Sequence, residues 1–182
     1  LVGLHFIEVS SYHLTNKETA TQKMNLNIPV VELANSTSEE YHVLRNTLIS
    51  QLLQIHQQNK HNEYPQHIFE MGKVFLLNKD TETGTEEPTH LAVTLADLEA
   101  TYTNARQIVD YLLRMLDLKY EIKETKHPSF TNGRVGAIAV NKKEIGILGE
   151  INPQVLTNFQ LECPVAALEI DLNVLFNTIG VQ

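Results

Sequence analysis

The residues whose types could do chemistry lie in a few short stretches, and each would serve a different reaction. GILGEINPQVL, Gly146 to Leu156, sets two glycines and an acid before an Asn-Pro, the ingredients of a phosphate-binding turn. Such a cradle needs glycines spaced as GxGxxG or GxxxxGK[ST], so that backbone N–H groups converge on the anion. Here Gly146 and Gly149 fall inside a strand pattern, no lysine follows, and Glu150 would repel a phosphate. Glycines so placed mark a bulge or a close backbone approach. His56, His61 and His67, with Glu63 among them, are metal-ligand types. Spacings of five and six do not set them on one helical face as HExxH does, and they read as a solvated helix end. Ser10 and Ser11 precede Tyr12-His13 without a nucleophile elbow and read as strand residues. Asp80, Glu82, Glu86 and Glu87 lack calcium-loop spacing and form a solvated tip. Cys163 has no neighbouring cation in sequence to lower its pKa and reads as a buried structural thiol.

Composition narrows the classes. At 182 residues, 42% apolar and 20% charged, the chain has enough material for one substantial core. One cysteine excludes an internal disulfide framework and a thiolate zinc cluster. Acids outnumber bases 22 to 14, and no basic cluster exceeds Lys142-Lys143, which argues against an independent nucleic-acid binder. No apolar run approaches the roughly 18 to 20 residues of a bilayer span, and no secretory signal opens the chain. The expectation is a cytoplasmic protein with no membrane partner. The start in mid-pattern at Leu1-Val2 reads as an excised piece of something longer.

The positioning elements follow from periodicity. An extended segment is expected over Phe6 to Tyr12, a short helix over Asn16 to Lys23 opened by Thr15, and a strand in IPVVEL before the turn-rich ANSTS. Leu44, Leu48, Leu52 and Ile55 recur at helical spacing, widened by Ile49, Leu53 and His56, and predict a helix from Leu44 to Asn59. HIFEMGKVFLLN reads as two strands hinged at Gly72, and KDTETGTEEP as a hairpin loop into THLAVTLA. Thr101 to Leu118 keeps helical period. KYEIKET, RVGAIAV and EIGILGEI are strands, with a tight hairpin at Asn141. Asn152 and Pro153 open a helix, VAALEIDL is a last strand and NVLFNTIG a closing helix. Strands in consecutive hairpins with interspersed helices predict an α+β fold in one domain, residues 1–182: a largely antiparallel sheet flanked by helices.

Three ordered blocks carry a family resemblance. LHFIEVSSYHL resembles motif 1 of class II aminoacyl-tRNA synthetases, GFxEVxTPxL, with Phe6, Glu8, Val9 and Leu14 in place. Val31 to Phe75, with its LR, apolar helix and IFExGxVF pattern, resembles the catalytic-like core of phenylalanyl-tRNA synthetase β subunits. His127 to Leu172, with HPSF, GR and GEIxPxVL, continues it. The likeness covers nearly the whole chain and is nearest the archaeal/eukaryotic branch. The class II synthetase positions that define catalysis are changed. The motif 1 proline is Tyr12. The motif 2 arginine, which grips the ATP α-phosphate, is Ile68 when Glu70 is aligned, and the motif 3 arginine falls at Leu172. An aliphatic side chain cannot neutralise a triphosphate.

The resemblance therefore implies an inactive module that scaffolds the catalytic α subunit. The whole enzyme would be an (αβ)2 heterotetramer acting on tRNA(Phe), with ATP and magnesium used in the holoenzyme and neither bound by this segment. Editing and metal-carrying domains would precede Leu1. The candidate α-subunit interface comprises Phe6, Val9 and Leu14 on the motif 1-like strand and Leu48, Leu52 and Ile55 on the following helix, unless that helical stripe is all internal core. Two rival readings are an active ligase using Arg45, Arg106 or Arg134 as replacement cations, and an independent RNA-binding module.

Overall fold

The computed structural model describes residues 1–36 and 38–180, so Thr37 in the turn-rich stretch lies outside the described residues. After a 3-10 turn at Val2–Leu4 come strands β1 (Ile7–Glu8) and β2 (Leu14–Thr15), the one-turn helix α1 (Lys17–Ala20), a second 3-10 turn and β3 (Val43–Leu44). Helix α2 (Ile49–Gln58) precedes β4 (Gln66–Lys73), the small hairpin of β5 (Leu76–Leu77) and β6 (Thr85–Glu86), and β7 (Thr89–Ala96). Helix α3 (Tyr102–Met115) leads to β8 (Tyr120–Glu124), β9 (Phe130–Val140) and β10 (Lys143–Ile151). Then follow α4 (Pro153–Asn158), β11 (Val165–Asp171) and α5 (Leu172–Ile179).

Seven strands form one mixed sheet in the order β1-β4-β7-β11-β10-β9-β8. Every neighbour is antiparallel except β1, which lies parallel to β4 with Ile7 opposite Ile68. Side chains alternate between faces along each strand, so the sheet feeds two cores. On one face Leu48, Leu52 and Leu53 from the α2 region pack on Ile68, Ala92, Ala96, Val165 and Ala167. On the other, Val109 and Leu113 of α3 and Leu175 of α5 pack on Val93, Leu148, Leu168 and Ile170. Three alanines beneath α2 give the helix a flat bed, and the expected α+β architecture results.

Local chemistry explains most element ends. Asn141 and Lys142 both take positive φ, 49° and 68°, which is the turn geometry that matches the twist of β9 and β10. Asn152 accepts from the Gln154 N–H at 2.8 Å with Pro153 at the first helical position. Glu150 accepts from the Tyr102 N–H at 2.9 Å, so it serves the positive end of α3 rather than fending off a phosphate. Gly146 and Gly149 sit beside the two irregularities in the β9–β10 register. A Cβ at Gly146 would collide with the Glu169 carbonyl, and one at Gly149 would stand 2.6 Å from the Arg134 carbonyl oxygen. Both are the close approaches that the sequence implies.

Several boundaries differ from expectation. Asn16, not Thr15, caps α1 by accepting from Thr19 N at 2.8 Å, and the helix tightens into a 3-10 turn instead of continuing to Lys23. IPVVEL supplies one isolated bridge, Glu32 to Val43, and no strand. The extended segment pairs only at Ile7–Glu8. The predicted helix from Leu44 begins at Ile49, because Val43–Leu44 pairs with β2 and removes Leu44 from the stripe. The break in the β4 region falls after Lys73, not at Gly72. No helix among the described residues is long and apolar enough to cross a membrane.

Leu52 is fully buried in this core. Leu52→Ala is expected to lower the unfolding free energy by about 2–5 kcal/mol in urea denaturation. Leu52→Asp should leave no cooperative transition, and a native-like melt for that variant would remove Leu52 from the core.

Candidate functional site

The chemistry-bearing face is the one under α2, where β4, β7 and β11 lie side by side. At the start of α2 no side chain of its own first turn caps the helix. A carboxylate reaches in from β11 instead. Glu169 accepts from the Leu48 and Ile49 N–H groups at 3.2 Å and from the Thr47 hydroxyl at 2.5 Å. An anion here satisfies orphan donors and complements the helix dipole. His90, on β7, adds its Nδ1 at 2.7 Å. Burial pushes the Glu169 carboxyl up, but the His90 hydrogen bond and charge, with Thr47 and the Leu48 N–H, outweigh it and hold the group below its ordinary range. For His90, burial pulls the pKa down, and the Glu169 bond with the charges of Glu169 and Asp171 more than compensates, leaving it above the ordinary value.

A second buried polar unit sits on β4 at the same level of the sheet, since Glu70 and Glu169 both stand opposite Ala92 of β7. Arg45, 1% exposed, donates from Nη1 to Glu70 Oε1 at 2.6 Å and to the Ser11 hydroxyl at 2.8 Å, and from Nε to the Lys73 carbonyl at 2.8 Å. Ser11 in turn donates its hydroxyl to Glu70 Oε2 at 2.6 Å. A Cβ at Gly72 would collide with the Arg45 guanidinium, so the glycine of FEMG clears the path for the arginine of LR. Ser11 is thus a hydrogen-bond relay in an ion-pair network and not the strand residue expected; Ser10 also lies outside the strands.

The residues singled out by sequence are scattered. Ile68 packs in the core beneath α2, whereas Leu172 opens α5 and packs against the opposite core, so the two positions do not converge on one cleft. Tyr12 is 78% exposed and sets its ring edge-on to Tyr41, centroids 6.1 Å apart. Of the candidate interface residues, Phe6, Leu48 and Leu52 are buried within this chain and are unavailable to a partner, which corrects their assignment. The α2 stripe is internal core at those positions. Val9, Leu14 and Ile55 stay partly exposed. Leu14, Ile55, Tyr12 and Tyr41 line one groove of about 720 Å³. Arg45 is occupied by Glu70, Arg134 pairs with Glu150 at 2.6 Å, and Arg106 lies beside Tyr120, whose hydroxyl donates to Asp110, so the three arginines do not converge on one site.

His56 is not at a solvated helix end. It is 1% exposed, with Nδ1 3.3 Å from Gln66 Oε1 and Nε2 2.9 Å from the Thr94 hydroxyl, and burial pushes its pKa down to about 4. Its place on the apolar stripe was the available signal. His61 is exposed, and His67 stacks on Phe6 at 5.1 Å. Glu63 is also exposed, and among the described residues no three His, Cys, Asp or Glu side chains gather to hold a metal. Cys163 is buried, and burial raises its pKa, as a structural thiol requires. Glu169 and His90 were missed because their partners lie some 80 to 120 residues away in sequence.

Comparison with known proteins supplies a family. The family model described as "Phenylalanyl tRNA synthetase beta chain CLM domain" matches residues 1–172. The phenylalanine–tRNA ligase beta subunit of Pyrococcus abyssi is 47% identical over 177 residues, which is 97% of this chain and 32% of the relative. That of Methanopyrus kandleri is 38% identical over 183 residues, 99% of this chain and 31% of the relative. Both sources are archaeal, as the sequence pattern implied. The chain spans about a third of the length of these relatives. Among solved structures, the pyrrolysyl tRNA synthetase PylSc of Desulfitobacterium hafniense matches with a TM-score of 0.79 at 17% identity, covering 100% of this chain and 66% of that one. At that identity the likeness is one of fold.

Two outcomes follow from the buried groups. His56 is neutral when folded and protonates more readily when unfolded, so its contribution is complete above about pH 6.5 and is lost as pH falls toward 4. The loss over that window is about 3 kcal/mol, and His56→Gln should flatten the pH dependence of urea stability between pH 6.5 and 4. Glu169→Ala removes the acceptor of four donors and is expected to cost about 3–5 kcal/mol; a melting temperature equal to the parent's would show that α2 does not depend on it.

Proposed function

Since the chain belongs to the family of phenylalanyl-tRNA synthetase β chains, we propose that it is the noncatalytic, class II-like module of a phenylalanine–tRNA ligase β subunit, scaffolding the catalytic α subunit. The observation that carries this reading is the closed sheet face. Ile68 stands where a phosphate-gripping arginine would be needed, and α2 covers it with the chain's own leucines. A triphosphate needs fixed cations in an open, dry cleft. The arginines that could replace them are each engaged by a nearby acid or phenol. The donor set of this segment does not fit ATP or magnesium, and both belong to the holoenzyme in this reading. Phenylalanine activation and transfer to tRNA(Phe) are then the work of the (αβ)2 assembly in the cytoplasm.

The face proposed for the α subunit is the groove rimmed by Tyr12, Leu14, Tyr41 and Ile55, with Val9 and the exposed Ile7 beside it. Exposed aromatic and aliphatic side chains set among polar neighbours such as Glu40, Gln54 and Gln58 have the mixed composition of a non-obligate interface. Phe6, Leu48 and Leu52 support it from inside the fold.

Light scattering behind size exclusion, on the protein alone and mixed with its α subunit, tests the reading. A heteromeric peak is expected. The double variant Tyr12→Glu, Tyr41→Glu should retain the parent's melting temperature and lose the peak. Two separate peaks for the parent protein would overturn the scaffold role, and unaltered assembly of the double variant would move the interface elsewhere.

A further inference from the structure

His90 stands on β7 beside two acids of β11, and each acid holds the first turn of a different helix. Glu169 and Asp171 are two residues apart on one strand, so both project from the same face of the sheet. Asp171 opposes His90 in register, and Glu169 opposes Ala92. The imidazole Nδ1 lies 2.7 Å from Glu169 Oε1, and Nε2 lies 3.7 Å from Asp171 Oδ2. Glu169 accepts from Thr47, Leu48 and Ile49 at the start of α2, and Asp171 accepts with its other oxygen from Val174 N at 2.9 Å at the start of α5. Those helices pack on opposite faces of the sheet, so one imidazole touches the caps of both.

The arrangement favours the charged ring. A neutral imidazole has one N–H and can serve one acid, whereas an imidazolium presents a proton to each. The side chains of His90, Glu169 and Asp171 are only 14%, 7% and 24% exposed, so little water screens the two carboxylates from each other. Among the described residues neither acid has another ion-pair partner. The remaining charged groups nearby do not replace the imidazolium. Glu144 of β10 adds negative charge, and burial keeps His127 neutral. On β4, Gly72 is the register partner of His90, and the Arg45 guanidinium that crosses it is matched by Glu70. Lys73, next along β4, pairs with Glu87.

We propose that His90 is a pH-operated clamp: as an imidazolium it holds Glu169 and Asp171 together and so couples the starts of α2 and α5, and on losing its proton it leaves two adjacent carboxylates that loosen both. The segment released at α2, Thr47 to Ile49, is the one that closes the sheet face. The His90 pKa lies above its ordinary 6.5, so its stabilisation is complete below about that pH and is lost as pH rises through the folded protein's own titration. His56, His67 and His127 are shifted the other way, and their contributions change only below it. A decline above pH 6.5 therefore reports His90. The proposal does not depend on which macromolecule docks at the Tyr12 groove.

NMR titration of the His90 ring between about pH 5.5 and 8.5, with amide hydrogen exchange followed at the same pH values, tests it. His90 is expected to titrate above 6.5. Across that titration the protection factors of Leu48, Ile49 and Val174, corrected for the intrinsic pH dependence of exchange, should fall by up to about tenfold per pH unit. His90→Gln removes the titrating group and should make the protection of these amides independent of pH in this window. Asp171→Asn keeps an oxygen for the α5 cap and should move the His90 titration down toward 6.5. A His90 that titrates at or below 6.5, a loss of protection confined to one of the two helices or absent from both, or a His90→Gln protein with the parent's pH dependence would each overturn the proposal.

Discussion

One buried carboxylate governs how this chain is put together. Glu169 comes from the centre of the sheet and receives the first N–H groups of α2, the Thr47 hydroxyl and the His90 imidazole. Without such an acceptor, the Leu48 N–H would be left unsatisfied inside an apolar layer, since Leu48 at the N-cap has no side-chain acceptor and Thr47 Oγ1 reaches only the Ile49 N–H. With it, the helix is fixed at one end and lies down on Ala92, Ala96 and Ala167. The position of α2 decides that the sheet face under it is closed. The same carboxylate holds the His90 ring through Nδ1 and, with Asp171, raises its pKa above the ordinary value.

The Arg45–Glu70 pair has a different role. A buried ion pair gains little net stability over a well-packed apolar replacement, because desolvation consumes most of the Coulomb attraction. What it supplies is registry. Arg45 ties together three segments that its own backbone also joins, through His13 and Phe75: the turn at Ser11, the start of the α2 region and the exit of β4 at Lys73. In the sequence, LR and FEMG are separate features of a family resemblance. In space they are one unit, with Gly72 bare so that the guanidinium can cross the strand.

Elements whose signals are local were legible. The hairpin at Asn141, the cap at Asn152-Pro153 and the long period of α3 each depend on neighbours within a turn or two, and all stand where expected. The start of α2 was not legible, because the feature that sets it is a glutamate some 120 residues downstream. His56 shows the same limit: its place on the apolar stripe was visible, but its burial depends on Thr94 and Gln66 arriving from two strands. Leu48 and Leu52 were equally ambiguous, since a broad apolar stripe reads alike whether it faces its own sheet or another chain. Of the site, the positions Tyr12, Ile68 and Leu172 could be named only through the resemblance, whereas the Glu169 and Arg45 networks are built from residues that no spacing connects.

The two edges of the sheet explain where a partner is best received. An edge strand offers unpaired backbone groups, and proteins protect such edges with charge or by keeping them short. Strand β8 takes the first course: Glu121, Lys123 and Glu124 line it, and Lys123 and Glu121 approach each other at 3.5 Å. Strand β1 takes the second, with only Ile7 and Glu8 paired, yet Ile7 is two-thirds exposed and the chain beyond it leads to the exposed Tyr12. A charged edge resists apolar contact, and a short edge with exposed aliphatic and aromatic groups invites it. The asymmetry favours the β1 side for the contact surface proposed above, beside a face of the sheet that the chain has already closed with its own helix.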